Sequence, residues 1–330
     1  MKIITQFSRE NKKYLAYLPL LIIPFFPLFL KNYQYGIMLL CFAEIYIIAT
    51  TGLDVVYGYS GQITFATSAF FGIGAYSSQL LHVNFNLPLI ITIPMASLIG
   101  CIIAMIFAIP VSKLRFAFLS LSTISFGWVV YQLITRSPGG ITGDYNGMFV
   151  ERIVFFENGP DRITQYFYFG LICVILFVGL KLLLVRSRVG RAFLAIKQNV
   201  HAAEGMGINV RKYKVYAFGV YGLYAAFAGT LYGHLVGFIS PETVAETQSV
   251  LFLIMAMFGG LASNWGPLIG ATSILLLNDA LSHFEQYQLL AYGILLIAFI
   301  VFIPDGVVGL IKRTTSRINE KSEKVNNAQN

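Results

Sequence analysis

Charge is what this sequence has least of. Only 12% of its 330 residues are Asp, Glu, Lys or Arg, against about 25% in soluble domains. Hydrophobic residues make up 57%, and the mean hydropathy is +0.71. A chain of this length cannot cover so much apolar surface with so few charges, which excludes a water-soluble globule and makes lipid the solvent for most of it. Cysteine is scarce too: Cys41, Cys101 and Cys173 each lie inside an apolar run, so neither a disulfide framework nor a metal site is expected. There is no nucleotide loop of the form GxxxxGK[ST], no HExxH and no paired Cys/His spacing, and these absences argue against ATP binding, metal chemistry or catalysis by this chain. His82, His201, His234 and His283 are scattered. The net charge of +8 is carried between the apolar runs, where it reads as a topology signal rather than a nucleic-acid surface.

What is abundant is apolar sequence in lengths that suit a membrane. A spanning helix needs about 20 mostly apolar residues. Candidates fall at 14–30, 34–57, 60–81, 88–109, 116–134, 163–185, 215–238, 248–262, 267–283 and 288–303, which predicts an all-α membrane protein of about ten spans in one polytopic domain, 1–330; two of the later spans are short, and the count is eight or nine if short segments re-enter rather than cross. The basic N-terminus with its apolar run has no small-residue cleavage site after Leu30, so the run reads as a retained span. With the N-terminus inside, 18 Lys/Arg fall in the inside segments and 4 in the outside loops. That asymmetry follows the positive-inside rule and places both termini in the cytoplasm. The longest outside loop, 135–162, is rich in Gly, Pro, Asp and Asn and serves either as a docking surface or lid or as a plain connector. Residues 318–330 are polar and read as a disordered tail.

Two stretches interrupt the membrane region with small and polar residues. The first is GYSGQITFATSAFFGIGAY, containing Gly58, Ser60, Gly61, Gln62 and Thr64; the second is FGGLASNWGPLIGA, containing Gly259, Gly260, Ser263, Asn264 and Gly266. Lipid tolerates unwound backbone only where protein or water covers it, so these residues are candidates for a polar lining to a translocation path, or for local hydrogen bonding at helix breaks. The blocks 34–134 and 215–303 enter the membrane from opposite sides, which suggests an inverted repeat with the path at its interface. Among ionisable residues inside spans, Glu44 is the most central and joins the path candidates. Asp54, His234, Asp279 and His283 sit nearer span ends, where they either line a pore or, the reading favoured here, make interfacial or interhelical hydrogen bonds. No Lys–Asp or Arg–Glu relay through the membrane is evident.

The one long polar segment between apolar blocks is 186–214, RSRVGRAFLAIKQNVHAAEGMGINVRKYK. On a helical wheel Ala192, Phe193, Ile196, Val200, Ala203 and Met206 share one side, and Arg191, Lys197, Gln198, His201 and Glu204 the other. This predicts one amphipathic helix stopped near Gly205 and Gly207. Such a helix either lies in the headgroup layer or fits a groove on a cytoplasmic partner.

These residues resemble the cytoplasmic coupling loop of ABC importer permeases, with Ala202-Ala203-Glu204 and the downstream Gly207 in family order. More closely, the chain resembles the M-type permease subunit of branched-chain amino acid ABC transporters over about 34–310. The likeness is carried also by GLDVVYGYSGQITFATSAFFGIGAY from Gly52, LRFAFLSLSTISFG from Leu114, TGDYNG from Thr142, Ser240-Pro241, FGGLASNWGPLIGA from Phe258 and PDGVVGL from Pro304. Gly143-Asp144, Phe116 and Trp128 depart from the family pattern and bear on the substrate. The resemblance implies a bacterial inner-membrane permease that pairs with a sister permease and two cytoplasmic ATPase subunits. An extracellular or periplasmic binding protein delivers the substrate. ATP and magnesium belong to the ATPases, and this chain holds no cofactor. Coupling to the ATPases is implied for Arg188, Gly190, Arg191, Ile196, Lys197, Ala202, Ala203, Glu204 and Gly207. Importers of urea or short amides are close alternatives. A stand-alone secondary transporter is the other, and it would need an ion site such as Glu44.

Overall fold

The computed structural model describes residues 34–114, 116–153, 161–281, 290, 293–294, 297 and 306–309. The expected span at 14–30, the tail 318–330 and most of the expected span at 288–303 lie outside these residues. The described chain is built from helices. They are α1 (Gln34–Leu53), α2 (Thr67–Phe85), α3 (Leu89–Val111), α4 (Phe116–Arg136), α5 (Arg162–Arg186), α6 (Arg188–Gln198), α7 (Val200–Gly205), α8 (Val210–Val236), α9 (Glu246–Gly259) and α10 (Gly266–Leu281). A π-helical turn, Asp54–Tyr59, extends α1. The β-structure within the described residues is one short antiparallel pair, β1 (Met148–Phe149) with β2 (Phe238–Ile239).

Among the described residues, five segments are long and apolar enough to cross a membrane: Gln34–Tyr59, Leu89–Val111, Ala117–Arg136, Arg162–Arg186 and Val210–Val236. The start of the second expected span departs from the sequence expectation, while the two late spans are short as expected. The span expected at 60–81 begins as non-helical chain and becomes helix only at Thr67. The spans expected at 248–262 and 267–283 are helices of 14 and 16 residues, or about 21 and 24 Å at about 1.5 Å per residue. α9, which ends at Gly259, is shorter than the roughly 30 Å hydrocarbon core. They pack on each other closely enough that a Cβ on Gly270 would overlap the Met255 carbonyl.

The bundle is organised around α8, which packs against α1, α2 and α3. Its sequence explains why: Gly219, Gly222, Ala225, Ala226 and Gly229 leave little side chain between backbones. A Cβ on Gly74 of α2 would run into the Ala226 carbonyl, and one on Gly229 into the Phe71 carbonyl. Lipid supplies no hydrophobic drive between helices, so close packing of this kind holds them together. α1 is apolar nearly all round, and from Cys41 onward it is almost wholly buried, between α5, α8 and α10. The outward faces are the reverse of a soluble protein's. Ile91, Met95, Leu98, Ile102, Ile106 and Ile109 form an exposed stripe on α3, and Ile172, Ile175, Leu176, Leu180 and Leu183 do so on α5. Apolar stripes of this size face lipid or protein, not water.

At the end of the bundle away from α6 and α7, histidines fasten the loop that follows α4. His82 pairs with the Glu151 carboxylate. Buried His234 meets Ser78 Oγ at 2.8 Å and the Glu151 carbonyl at 2.6 Å.

Candidate functional site: a loop tied to two backbone breaks

The 186–214 segment folds as two short helices rather than one. Ser187 caps α6, its hydroxyl accepting from Val189 N (3.1 Å) and Gly190 N (3.4 Å). Asn199 then adopts extended backbone (φ −159°, ψ 114°) and caps α7, accepting from His201 N (3.0 Å) and Ala202 N (3.2 Å). Ser and Asn satisfy the orphan N–H groups that every helix start exposes. The break resets the helical phase. Ala192, Phe193, Ile196 and Ala203 are buried as the wheel predicts, but Val200 is exposed and Met206 is 68% exposed. The single continuous helix expected from the sequence is therefore corrected. Gly207, at φ +79°, occupies the left-handed conformation that glycine favours after a helix.

The coupling candidates separate into two groups. Gly190, Ile196 and Ala203 face inward. Gly190 lies against the carbonyls of Leu184 and Val185, and Ile196 and Ala203 cluster with Val210. Arg188, Arg191, Ala202, Glu204 and Gly207 are exposed. Lys197 bridges the groups: its stem is on the surface, while its amine donates to the Gly58 carbonyl at 2.6 Å and its methylenes lie beside Gly61.

Gly58 and Gly61 belong to the first break. After the π-helical turn, Gly61 N bonds Tyr57 O (3.1 Å) and Gln62 N bonds Val56 O (3.0 Å). Gly61 turns at φ +72°, and the chain runs non-helical to Ala66. Buried polar contacts replace the helical ladder, as a break inside a membrane protein requires. Gln62 Nε2 donates to Ser60 Oγ (2.7 Å), Phe65 N donates to Thr123 Oγ1 (3.1 Å), and Thr64 Oγ1 accepts from Ala66 N (3.3 Å). The second break lies between α9 and α10, with Gly260 at φ +103° and Ala262 at φ +54°. A Cβ on Gly259 would strike the Gly266 carbonyl, and one on Gly266 the Gly260 carbonyl; Asn264 is exposed at the tip of this break and Ser263 is buried.

An ion pair joins the two breaks. Asp54, in the π-helical turn, and Lys181, near the end of α5, are each 1% exposed and lie 2.6 Å apart. Asp54 Oδ1 also accepts from Ala262 N at 2.6 Å, and Lys181 Nζ also donates to Ser263 O at 2.9 Å. The ammonium stands 5.6 Å from the centre of the Tyr59 ring. Gly58 makes room for this arrangement, since a Cβ there would strike both the Asp54 carboxylate and Ala262 N. A buried pair of charges is tolerable only when its remaining donors and acceptors are also met, and backbone of the second break meets them. The sequence did not bring this pair to notice, although the pair leaves the expectation of no relay through the membrane unchanged. The pair is local to one end of the bundle and does not relay through it. The sequence signal was an Asp and a Lys each inside an apolar span, which a membrane interior requires to be partnered. Their separation of 127 residues concealed the pairing.

Glu44 is not brought to this junction. It lies ten residues before Asp54 in α1, about 15 Å along the helix axis at about 1.5 Å per residue. Its carboxylate packs against Gly170 of α5, and both oxygens are buried without a hydrogen-bond partner among the described residues. It also stands apart from two cavities of 170 and 310 Å³ that share Tyr46 and Tyr232 and are edged by Glu242 and Asp279. Among the described residues, no group of three or more His, Cys, Asp or Glu is placed to hold a metal ion.

This architecture can be set beside known proteins. No solved structure matches the chain. The high-affinity branched-chain amino acid transport system permease protein LivM of Escherichia coli is 28% identical over 292 residues, covering 81% of this chain and 68% of LivM. LivH of the same organism, a permease protein of the same kind of system, is 25% identical over 284 residues, covering 80% of this chain and 91% of LivH. The probable LivM of Methanocaldococcus jannaschii is 22% identical over 260 residues, covering 74% of each chain. The family model described as the permease component of the branched-chain amino acid transport system matches residues 36–303. It takes in α1, both breaks, the α6–α7 loop and α10, and the chain belongs to that family as a membrane-embedded transport subunit rather than an enzyme.

Proposed function

We propose that this chain forms half of the membrane path of an ABC importer for branched-chain amino acids, and that the α6–α7 loop is where the ATPases push on it. One observation carries the reading. The loop presents an exposed face, with Arg188, Arg191 and Glu204 charged and Ala202 beside them, while its inward face is fixed to the bundle and its Lys197 amine holds the first backbone break. A surface built this way passes a partner's movement inward.

In this reading a sister permease completes the path, two ATPase subunits bind the α6–α7 loops and supply ATP and magnesium, and a periplasmic or extracellular binding protein docks at the opposite end. The α6–α7 end and both termini are cytoplasmic, in a bacterial inner membrane, as the 18-to-4 distribution of Lys and Arg supports. The blocks 34–134 and 215–303 are the two halves of an inverted repeat, each carrying one break. The substrate class follows the names of the relatives.

Co-purification tests the contact. Glu204 and Ala202 are exposed, so Glu204→Arg and Ala202→Trp leave the fold intact and remove ATPase subunits from the purified complex. ATPases retained at wild-type stoichiometry in both variants would overturn the coupling role. Competition of labelled leucine uptake by unlabelled valine and isoleucine tests the substrate; competition by urea or acetamide instead would reassign it.

A further inference from the structure

The Asp54–Lys181 pair does more than neutralise itself. A buried ion pair needs only a partner and satisfied hydrogen bonds, which a single helix pair can supply. Here the hydrogen bonds go to segments that are not helical. Asp54 Oδ1 takes Ala262 N, and Lys181 Nζ takes Ser263 O. The ion pair therefore holds the second break through two successive backbone groups, while Gly58 of the first break is wedged between Asp54 and Ala262. The carbonyl of that same Gly58 is held by Lys197 from α6. Contact is thus unbroken from the exposed loop to both breaks: Lys197, Gly58, Asp54, Lys181, and the backbone of 262–263.

The junction also has unused hydrogen-bonding capacity. Gln62 Oε1 in the first break and Ser263 Oγ in the second are buried without a partner among the described residues. Buried polar atoms in a static core are nearly always paired. Ala262, a non-glycine residue at φ +54°, shows that the second break is held in a conformation L-residues disfavour.

We propose that Asp54 and Lys181 are positioning residues of the transport cycle: they make both breaks follow α6 as one body, and so set how much substrate moves per ATP hydrolysed. Physical contiguity alone does not establish coupling, so the test must separate coupling from stability. The proposal rests on the importer reading.

The experiment uses the complete importer reconstituted in liposomes, measuring uptake and ATP hydrolysis together, with assembly followed by size-exclusion chromatography. Lys181→Met or Asp54→Asn alone leaves one buried partner unmatched and is expected to reduce assembly. The double variant Asp54→Asn/Lys181→Met leaves no buried charge, and neutral replacements of both partners are often tolerated. It is expected to assemble like wild type, yet to move about tenfold fewer substrate molecules per ATP. A purely structural pair predicts the opposite for the double variant, with assembly and the substrate-to-ATP ratio recovering together, and that result would overturn the proposal. So would failure of the double variant to assemble, because it would make the pair a fastening of the fold. If the wild-type complex hydrolyses ATP without moving substrate, the importer reading fails instead, and the two failures are distinguishable.

Discussion

Removing the Phe193 side chain should detach α6 from the bundle. Phe193 is fully buried, belongs to the main core rather than the small cluster beneath α7, and stacks edge-on to Tyr213 at 6.3 Å between ring centres. Ala192 and Ile196 are its buried companions on α6, and neither can fill the space it leaves. Undocking would move this face toward water rather than lipid, so values measured in soluble cores transfer. Phe→Ala costs about 3–5 kcal/mol. At about 1.4 kcal/mol per tenfold, even the lower end shifts the docked fraction by more than about a hundredfold. Phe193→Ala should therefore leave the spans folded, expose the amides of 188–198 to fast hydrogen exchange, and abolish uptake while ATP hydrolysis by bound ATPases continues uncoupled. Phe193→Leu, which keeps most of the apolar volume, should retain protection and most uptake. Wild-type exchange protection of 188–198 in Phe193→Ala would refute the reasoning, because it would mean that the helix is held by something other than this face.

Further expectations follow from the same contacts. Asn199→Ala removes the α7 cap at a cost of about 1 kcal/mol, and should speed exchange in 200–205 while leaving 188–198 protected; equal loss in both segments would show that the two helices behave as one. Gly74→Val drives a side chain into the Ala226 carbonyl and should destabilise the α2–α8 contact by at least about 1–3 kcal/mol, read as a lower midpoint of thermal aggregation in detergent. Gly127→Val has open space around it and should leave that midpoint within a degree or two of wild type. Lys197→Met removes the bond to the Gly58 carbonyl and should lower the uptake rate severalfold without releasing α6, as exchange in 188–198 would report.

Much of this organisation was written locally. The α5 span is predicted within a residue at each end because a continuous apolar run is bounded by Arg162 and Arg186. The two glycine-rich stretches are breaks because Gly61 and Gly260 take backbone angles that helices exclude. The buried face of α6 follows from 3.6-residue periodicity at Ala192, Phe193 and Ile196. What was not legible depended on a single residue or on distance. One extended residue, Asn199, turned an expected helix of about 17 residues into two, and moved Val200 and Met206 from the buried side to the surface. The Asp54–Lys181 pairing is set by how α1 and α5 pack, which periodicity within either helix does not encode. The end of α9 is set by the turn that begins at Gly260, within a stretch whose glycines and small polar residues already mark an interruption.

The central claim is that this chain is a path and a lever whose energy comes from another subunit's ATP. The most direct measurement is uptake of labelled leucine into liposomes that contain this chain, its sister permease, the two ATPases and the binding protein, with ATP supplied on the ATPase side. Uptake that requires ATP, and that is lost when Glu204→Arg is introduced here, is the predicted result. Uptake by this chain alone, without ATP and driven by an ion gradient, would contradict the account and make it a transporter in its own right.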